Sequence, residues 1–139
     1  MNLGAGIAAY GSGAKEPSHM SVLLHEFVDK RILVVEAGRP LTDDLRQQLT
    51  PHGATVLGPM PSVGAAIALV QIGSLDAAIL DIELDGETAF SIAEISEEQG
   101  VPFVFVSYNA VGPKYPGFQL GQPSSLQTIG LALFRSTSH

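Results

Sequence analysis

Four short apolar runs constrain this chain more than anything else in it. Arg31 to Glu36 holds Ile32-Leu33-Val34-Val35, and the others are Thr55-Val56-Leu57, Ala77-Ala78-Ile79-Leu80 and Val101 to Val106. A strand with one face in water alternates apolar and polar residues, whereas a continuous apolar run has both faces covered. Between the runs lie residues at helical spacing: Leu41, Leu45 and Leu49, then Val63, Ile67 and Val70, then Ile92 and Ile95. A last stripe, Leu126, Ile129 and Leu133, follows a short candidate strand at Phe118-Gln119-Leu120. Strands alternating with helices predict an α/β fold, a doubly wound, five-stranded parallel sheet with helices on both faces. Right-handed crossovers then bring the C-terminal ends of all strands to one edge, where open sheets bind ligands.

Local signals place the helices. The first starts near Pro40, with Asp43 and Asp44 in its first turn, where acids suit the helix dipole, and stops at Pro51-His52-Gly53. Ser62 is a candidate N-cap for the second. The third runs from about Thr88 to Gln99 and ends at Gly100; Ser124 or Ser125 caps the last. Tyr108 to Gly117 contains Gly112, Pro113, Pro116 and Gly117, so a full helix is not expected there. Residues 1–29 read as a flexible N-terminal extension and 30–139 as the domain. Ser18-His19-Met20 has the look of a tag remnant, and Val22, Leu23, Phe27 and Val28 suit a short helix or a cover for the first strand.

With 139 residues, 45% of them hydrophobic, the chain can bury the core of one domain. A formal net charge of -7 without a Lys/Arg cluster argues against direct binding to nucleic acid or to an anionic membrane. Cysteine is absent, which excludes disulfides and thiolate chemistry. No apolar run spans a bilayer and no secretory pattern opens the chain, so the expectation is a cytoplasmic protein.

Two strands each deliver a carboxylate at the ligand-binding edge: Glu36 after the first and Asp81 after the third. Other chemistry is weaker. Gly4-x-Gly6 and Gly11-x-Gly13 have no preceding strand and no Gly-Lys-Ser/Thr, unlike a phosphate loop. Asp81-x-Glu83-x-Asp85-Gly86 opens like a calcium loop, but Ile92 takes the twelfth position. The same segment is faintly similar to phosphatases with an aspartate nucleophile, yet Glu83 stands where their second Asp belongs. His25, His52 and His139 lack metal-ligand spacing.

In order and spacing, Ile32-Leu33-Val34-Val35-Glu36, Val56-Leu57-Gly58-Pro59, Ala78-Ile79-Leu80-Asp81-Ile82, Gly86-Glu87, Val101-Pro102-Phe103-Val104-Phe105-Val106-Ser107 and Gln122-Pro123-Ser124 form one pattern. From Lys30 to about Arg135 this pattern resembles the receiver domain of two-component response regulators. The resemblance implies a flavodoxin-like strand order 2-1-3-4-5, with the fourth helix shortened or irregular in this chain. Asp81 falls at the phospho-acceptor position, fed by a histidine kinase or phosphotransfer protein. Glu36, Asp81 and the backbone carbonyl of Glu83 would hold Mg²⁺, and the Ser107 hydroxyl would bind a phosphoryl oxygen. Gln122 stands at the usual lysine position, before a Pro123 whose peptide bond is expected to be cis. The resemblance implies a signalling module rather than an enzyme, with at most weak self-phosphorylation and dephosphorylation at Asp81.

The match is incomplete. The usual acid pair reads Glu36-Ala37, with Gly38 next. Glutamine at 122 donates hydrogen bonds but brings no charge. A buried charge-assisted contact contributes roughly 1.5–3 kcal/mol. Two independent losses amount to about two to four decades in phosphorylation efficiency. A bulky Tyr108 follows the hydroxyl position, free to lie over Asp81 or to swing outward, and Gln119 replaces the family's switch aromatic.

Two functions follow. One is an atypical single-domain receiver that takes phosphate weakly on Asp81 and signals to a downstream protein target. The other is a phosphorylation-independent pseudo-receiver, a constitutive binding or dimerisation module, with a homodimer among its forms. An excised piece of a longer regulator is a third option. In each case output runs through protein contacts.

Overall fold

The structure, a computed structural model, describes residues 24–38, 40–109, 117–122 and 124–134. Five strands form one parallel sheet: β1 (Arg31–Val35), β2 (Thr55–Leu57), β3 (Ala77–Asp81), β4 (Phe103–Ser107) and β5 (Phe118–Gln119). Their spatial order is β2-β1-β3-β4-β5, as the resemblance implies. Among the described residues there are four α-helices, α1 (Leu41–Leu49), α2 (Val63–Ile72), α3 (Gly86–Glu98) and α4 (Ser125–Phe134). The expected irregular helix falls in 110–116, outside the described residues, as does Pro123 with its expected cis bond. Among the described residues Gly58-Pro59 is a cis peptide.

Strand pleating divides the core. Ile32 and Val34 of β1, Ala77 and Ile79 of β3, and Val104 and Val106 of β4 meet Leu41, Leu45, Leu49, Ile129 and Leu133 of α1 and α4. The alternate residues, Leu33, Val35, Ala78 and Leu80, meet Ala66, Val70 and Ile92 of α2 and α3. Period-two alternation thus feeds two apolar faces from strands whose polar residues lie only at their ends.

Two helix details differ from what the sequence predicts. α3 starts earlier than Thr88 because Asp85 caps it, accepting hydrogen bonds from Thr88 N (2.8 Å) and Thr88 Oγ1 (2.8 Å). Val63, expected inward, is 37% exposed, while Ala66 carries the buried stripe of α2 with Val70. An uncharged helix offers no polar face to mark which side is out. Ser62 does cap α2, accepting Ala65 N at 3.1 Å.

The domain begins before Lys30. Leu24 is buried, and Phe27, in a 3₁₀ turn at His25–Phe27, is fully buried with its ring edge-on to Phe134 at 5.6 Å. The last residues of the expected flexible extension, Leu24 to Asp29, are therefore packed on α4 and joined to the β2 side by Asp29 N, which donates to Gly53 O at 2.9 Å. A Cβ at Gly130 would lie 2.9 Å from the Phe27 ring, so glycine in α4 makes room for it. No helix among the described residues is long and apolar enough to cross a membrane.

Candidate functional site

β1 is flanked by β2 on one side and β3 on the other, so the connections leave it in opposite directions. That makes the C-terminal ends of β1 and β3 the topological switch point, the usual ligand crevice of such sheets. Register pairs Val35 with Leu80 and Asp81 with Val106, which brings Glu36, Asp81 and Ser107 to this edge.

Asp81 is 4% exposed. Its Oδ2 accepts the backbone amide of Ala37 at 3.1 Å and its Oδ1 that of Glu83 at 2.9 Å. The loop after β3 closes through Leu84 N to Asp81 O at 3.1 Å, and Ile82 N continues the ladder to Val106 O at 2.9 Å. Two backbone amides thus satisfy the buried carboxylate.

Glu36 faces a different task. Its Oε1 accepts Thr42 N at 2.8 Å, satisfying a donor in the first turn of α1, where Pro40 provides no side-chain cap. Asp43 meets Arg46 at 3.0 Å, and Arg46 also donates to Val56 O and Gly58 O at 3.2 and 2.6 Å, binding α1 to the end of β2. Gly58 sits at φ +128°, and a Cβ there would fall 2.8 Å from Val34 O, so only glycine lets this turn lie against β1.

Ser107 is buried, and its Oγ accepts Asn109 N at 3.0 Å. Its carbonyl accepts Leu120 N at 2.7 Å, tying β4 to the end of β5. Tyr108 swings toward α1: its hydroxyl donates to Asp44 Oδ2, and its ring packs against the α1–α4 core. Gln122 is exposed, and its backbone amide donates to Ser125 Oγ at 3.0 Å, which itself donates to Gln119 O at 2.7 Å. Ser125 thus stitches the β5–α4 turn. Phe118 packs against the α1–α4 core, opposite to the side Gln119 takes in a pleated strand.

The residues expected to hold Mg²⁺ each have protein partners at this edge. Glu36 is engaged at the α1 N-terminus, Ala37 has no carboxylate, and both Asp81 oxygens hold amides. No group of three or more His, Cys, Asp or Glu side chains among the described residues is placed to hold a metal. Glu83 enters the site through its amide. Next to these acids a groove of about 430 Å³ runs past Ala37, Met60, Val63, Glu83 and Thr88.

The sequence reading missed the Asp81-to-amide contacts, the Thr42 amide and the Asp44 partner of Tyr108. Acids in the first turn of α1 were visible as dipole partners, but a partner 64 residues away along the chain was not.

The fold is that of response regulator receiver domains. The BeF3-activated conformation of SdrG from Pseudomonas melonis Fr1 is 29% identical over 77% of this chain and 98% of its own, with a TM-score of 0.62. The response regulator PhyR from Brucella abortus is 20% identical over 86% of this chain, with a TM-score of 0.63, and this chain spans about half (54%) of its length. A response regulator receiver protein from Sinorhizobium medicae WSM419 is 24% identical over 76% of this chain and 92% of its own, with a TM-score of 0.51. No family model and no curated protein matches the chain. Over most of its length the chain shares the fold of these proteins, and the last two likenesses carry the fold alone.

Proposed function

We propose that this receiver works in two-component signalling as a protein-contact module whose output does not depend on phosphate at Asp81. One observation carries the reading: the Glu36 carboxylate accepts the Thr42 amide at 2.8 Å and so serves the first turn of α1. Phosphoryl transfer to a carboxylate needs charge neutralisation on the equatorial oxygens. Ala37 cannot supply a metal ligand, and Gln122 is exposed and uncharged. The module then binds its partner constitutively, and a cytoplasmic setting goes with that role.

A second reading keeps Asp81 as a weak phospho-acceptor for a histidine kinase or phosphotransfer protein. Ser107 favours it. Its Oγ accepts Asn109 N, which leaves the hydroxyl proton to donate to a phosphoryl oxygen. SdrG, with its BeF3-activated conformation, is similar over nearly its whole length.

Incubation with Mg²⁺ and acetyl phosphate, followed by intact-mass measurement, separates the two. The expected result is no phosphate adduct. An adduct on the native chain that disappears in Asp81→Asn establishes the second reading and ends the first.

A further inference from the structure

Between Arg46 and Lys114 the sequence contains no lysine or arginine, so every formal charge on α2, α3 and their loops is negative. On α3 the buried positions are Ile92 and Ser96. At 100° per residue, Phe90 points almost directly away from them. It is 67% exposed, on the same stripe as the exposed Glu87, Glu94, Glu97 and Glu98. A large aromatic at the centre of a solvent-facing acidic stripe has no packing role in this fold.

The neighbouring helix gives a second, independent observation. α2, Val63-Gly-Ala-Ala-Ile-Ala-Leu-Val-Gln-Ile72, has no charged residue, yet Val63 is 37% and Ile72 71% exposed. α2 and α3 pack side by side, and Val63 and Thr88 line one groove at their N-terminal ends. An uncharged helix therefore runs along an acidic one that presents Phe90. An ordinary solvated surface mixes both signs of charge and keeps exposed aromatics few.

We infer that the α2–α3 face docks a cationic amphipathic helix of a partner protein. Its apolar stripe would cover Phe90 and the exposed edge of α2, and its Lys and Arg side chains would meet the α3 glutamates. This is helix-on-surface recognition with an aromatic anchor inside a charged rim. Charge complementarity fixes the occupant: a second copy would bring like charges together, and an anionic membrane would be repelled. The inference rests on the protein-contact reading above but not on the state of Asp81.

The test uses the full chain and two synthetic peptides of about 18 residues, or about five helical turns. Both contain the same Leu, Lys and Ala residues, with the leucines on one helical stripe in the first and scattered in the second. Binding is measured by calorimetry and mapped by amide chemical shifts. The striped peptide is expected to bind and to perturb Glu87–Glu98 and Val63–Ile72. Phe90→Ser, which leaves every charge in place, is expected to weaken it roughly tenfold, as is scattering the leucines. Addition of Mg²⁺ and acetyl phosphate is expected to leave the binding of the native chain unchanged. An intact circular dichroism spectrum of Phe90→Ser confirms its fold. Equal binding of both peptides, or of the native and Phe90→Ser chains, reveals charge attraction alone and overturns the proposal. Shifts confined to α1 and α4, or a dimer in sedimentation that Phe90→Ser dissociates, overturn it as well.

Discussion

The Tyr108 hydroxyl, just past β4, donates a 2.5 Å hydrogen bond to the Asp44 carboxylate on α1. This contact joins the strand end that carries Ser107 to the helix whose first turn is held by Glu36. The edge of the sheet is thereby braced through α1. Tyr108→Phe keeps the ring and removes the bond. Hydrogen bonds to charged groups contribute about 1.5–3 kcal/mol, and partial exposure puts this one near about 1 kcal/mol. Urea unfolding should show that loss, and Tyr108→Phe combined with Asp44→Ala should cost less than the sum of the two single changes.

Glu36→Ala strips the acceptor from Thr42 N and should lower stability by about 1 kcal/mol, the usual cost of a lost helix cap, while Glu36→Gln should keep most of it. The native chain should gain no stability from millimolar Mg²⁺. Ala37→Asp adds a carboxylate beside Asp81 and should introduce a Mg²⁺-dependent gain. At tenfold excess over its Kd the gain would be about 1.4 kcal/mol, read from thermal or urea midpoints.

Phe27 is fully buried against α4. Phe27→Ala should cost about 3–5 kcal/mol, as for other buried aromatics. A chain shortened to start at Lys30 should show a comparable loss in urea unfolding. Equal stability of the shortened and full chains would place the domain boundary back at Lys30.

Asp85 caps α3, and its hydrogen bonds from the Thr88 backbone and then the Thr88 hydroxyl hold its carboxyl below the usual aspartate range. A depressed folded-state pKa means that the cap stabilises fully above the unfolded value of about 4 and is lost as pH falls through the lower folded value. Asp85→Asn caps without titrating. The stability gap between native and Asp85→Asn chains should therefore shift in favour of the variant as pH drops below about 4. Urea midpoints across that range measure it.

Much of this was legible in the sequence because it depends on local pattern. Ile32 to Val35 and Ala77 to Leu80 have no polar position, which requires a sheet covered on both faces, and Ser62 caps α2 as its spacing indicates. α2 shows where pattern fails: without a charged residue it could not say that Val63 faces water and Ala66 the core. Phe27 gave no period to read, since a three-residue 3₁₀ turn is too short to carry one.

The sequence by itself determined the class of fold and the edge at which Glu36, Asp81 and Ser107 meet. The strand period and the common edge follow from burial and right-handed crossovers, and the strand order from the resemblance. Only the tertiary structure decided what those side chains do there. Glu36 turns to the Thr42 amide, Asp81 to the amides of Ala37 and Glu83, and Tyr108 to Asp44. Such choices depend on which donor lies within about 3 Å of which acceptor. Distances between groups far apart in the chain exist only once the helices have packed.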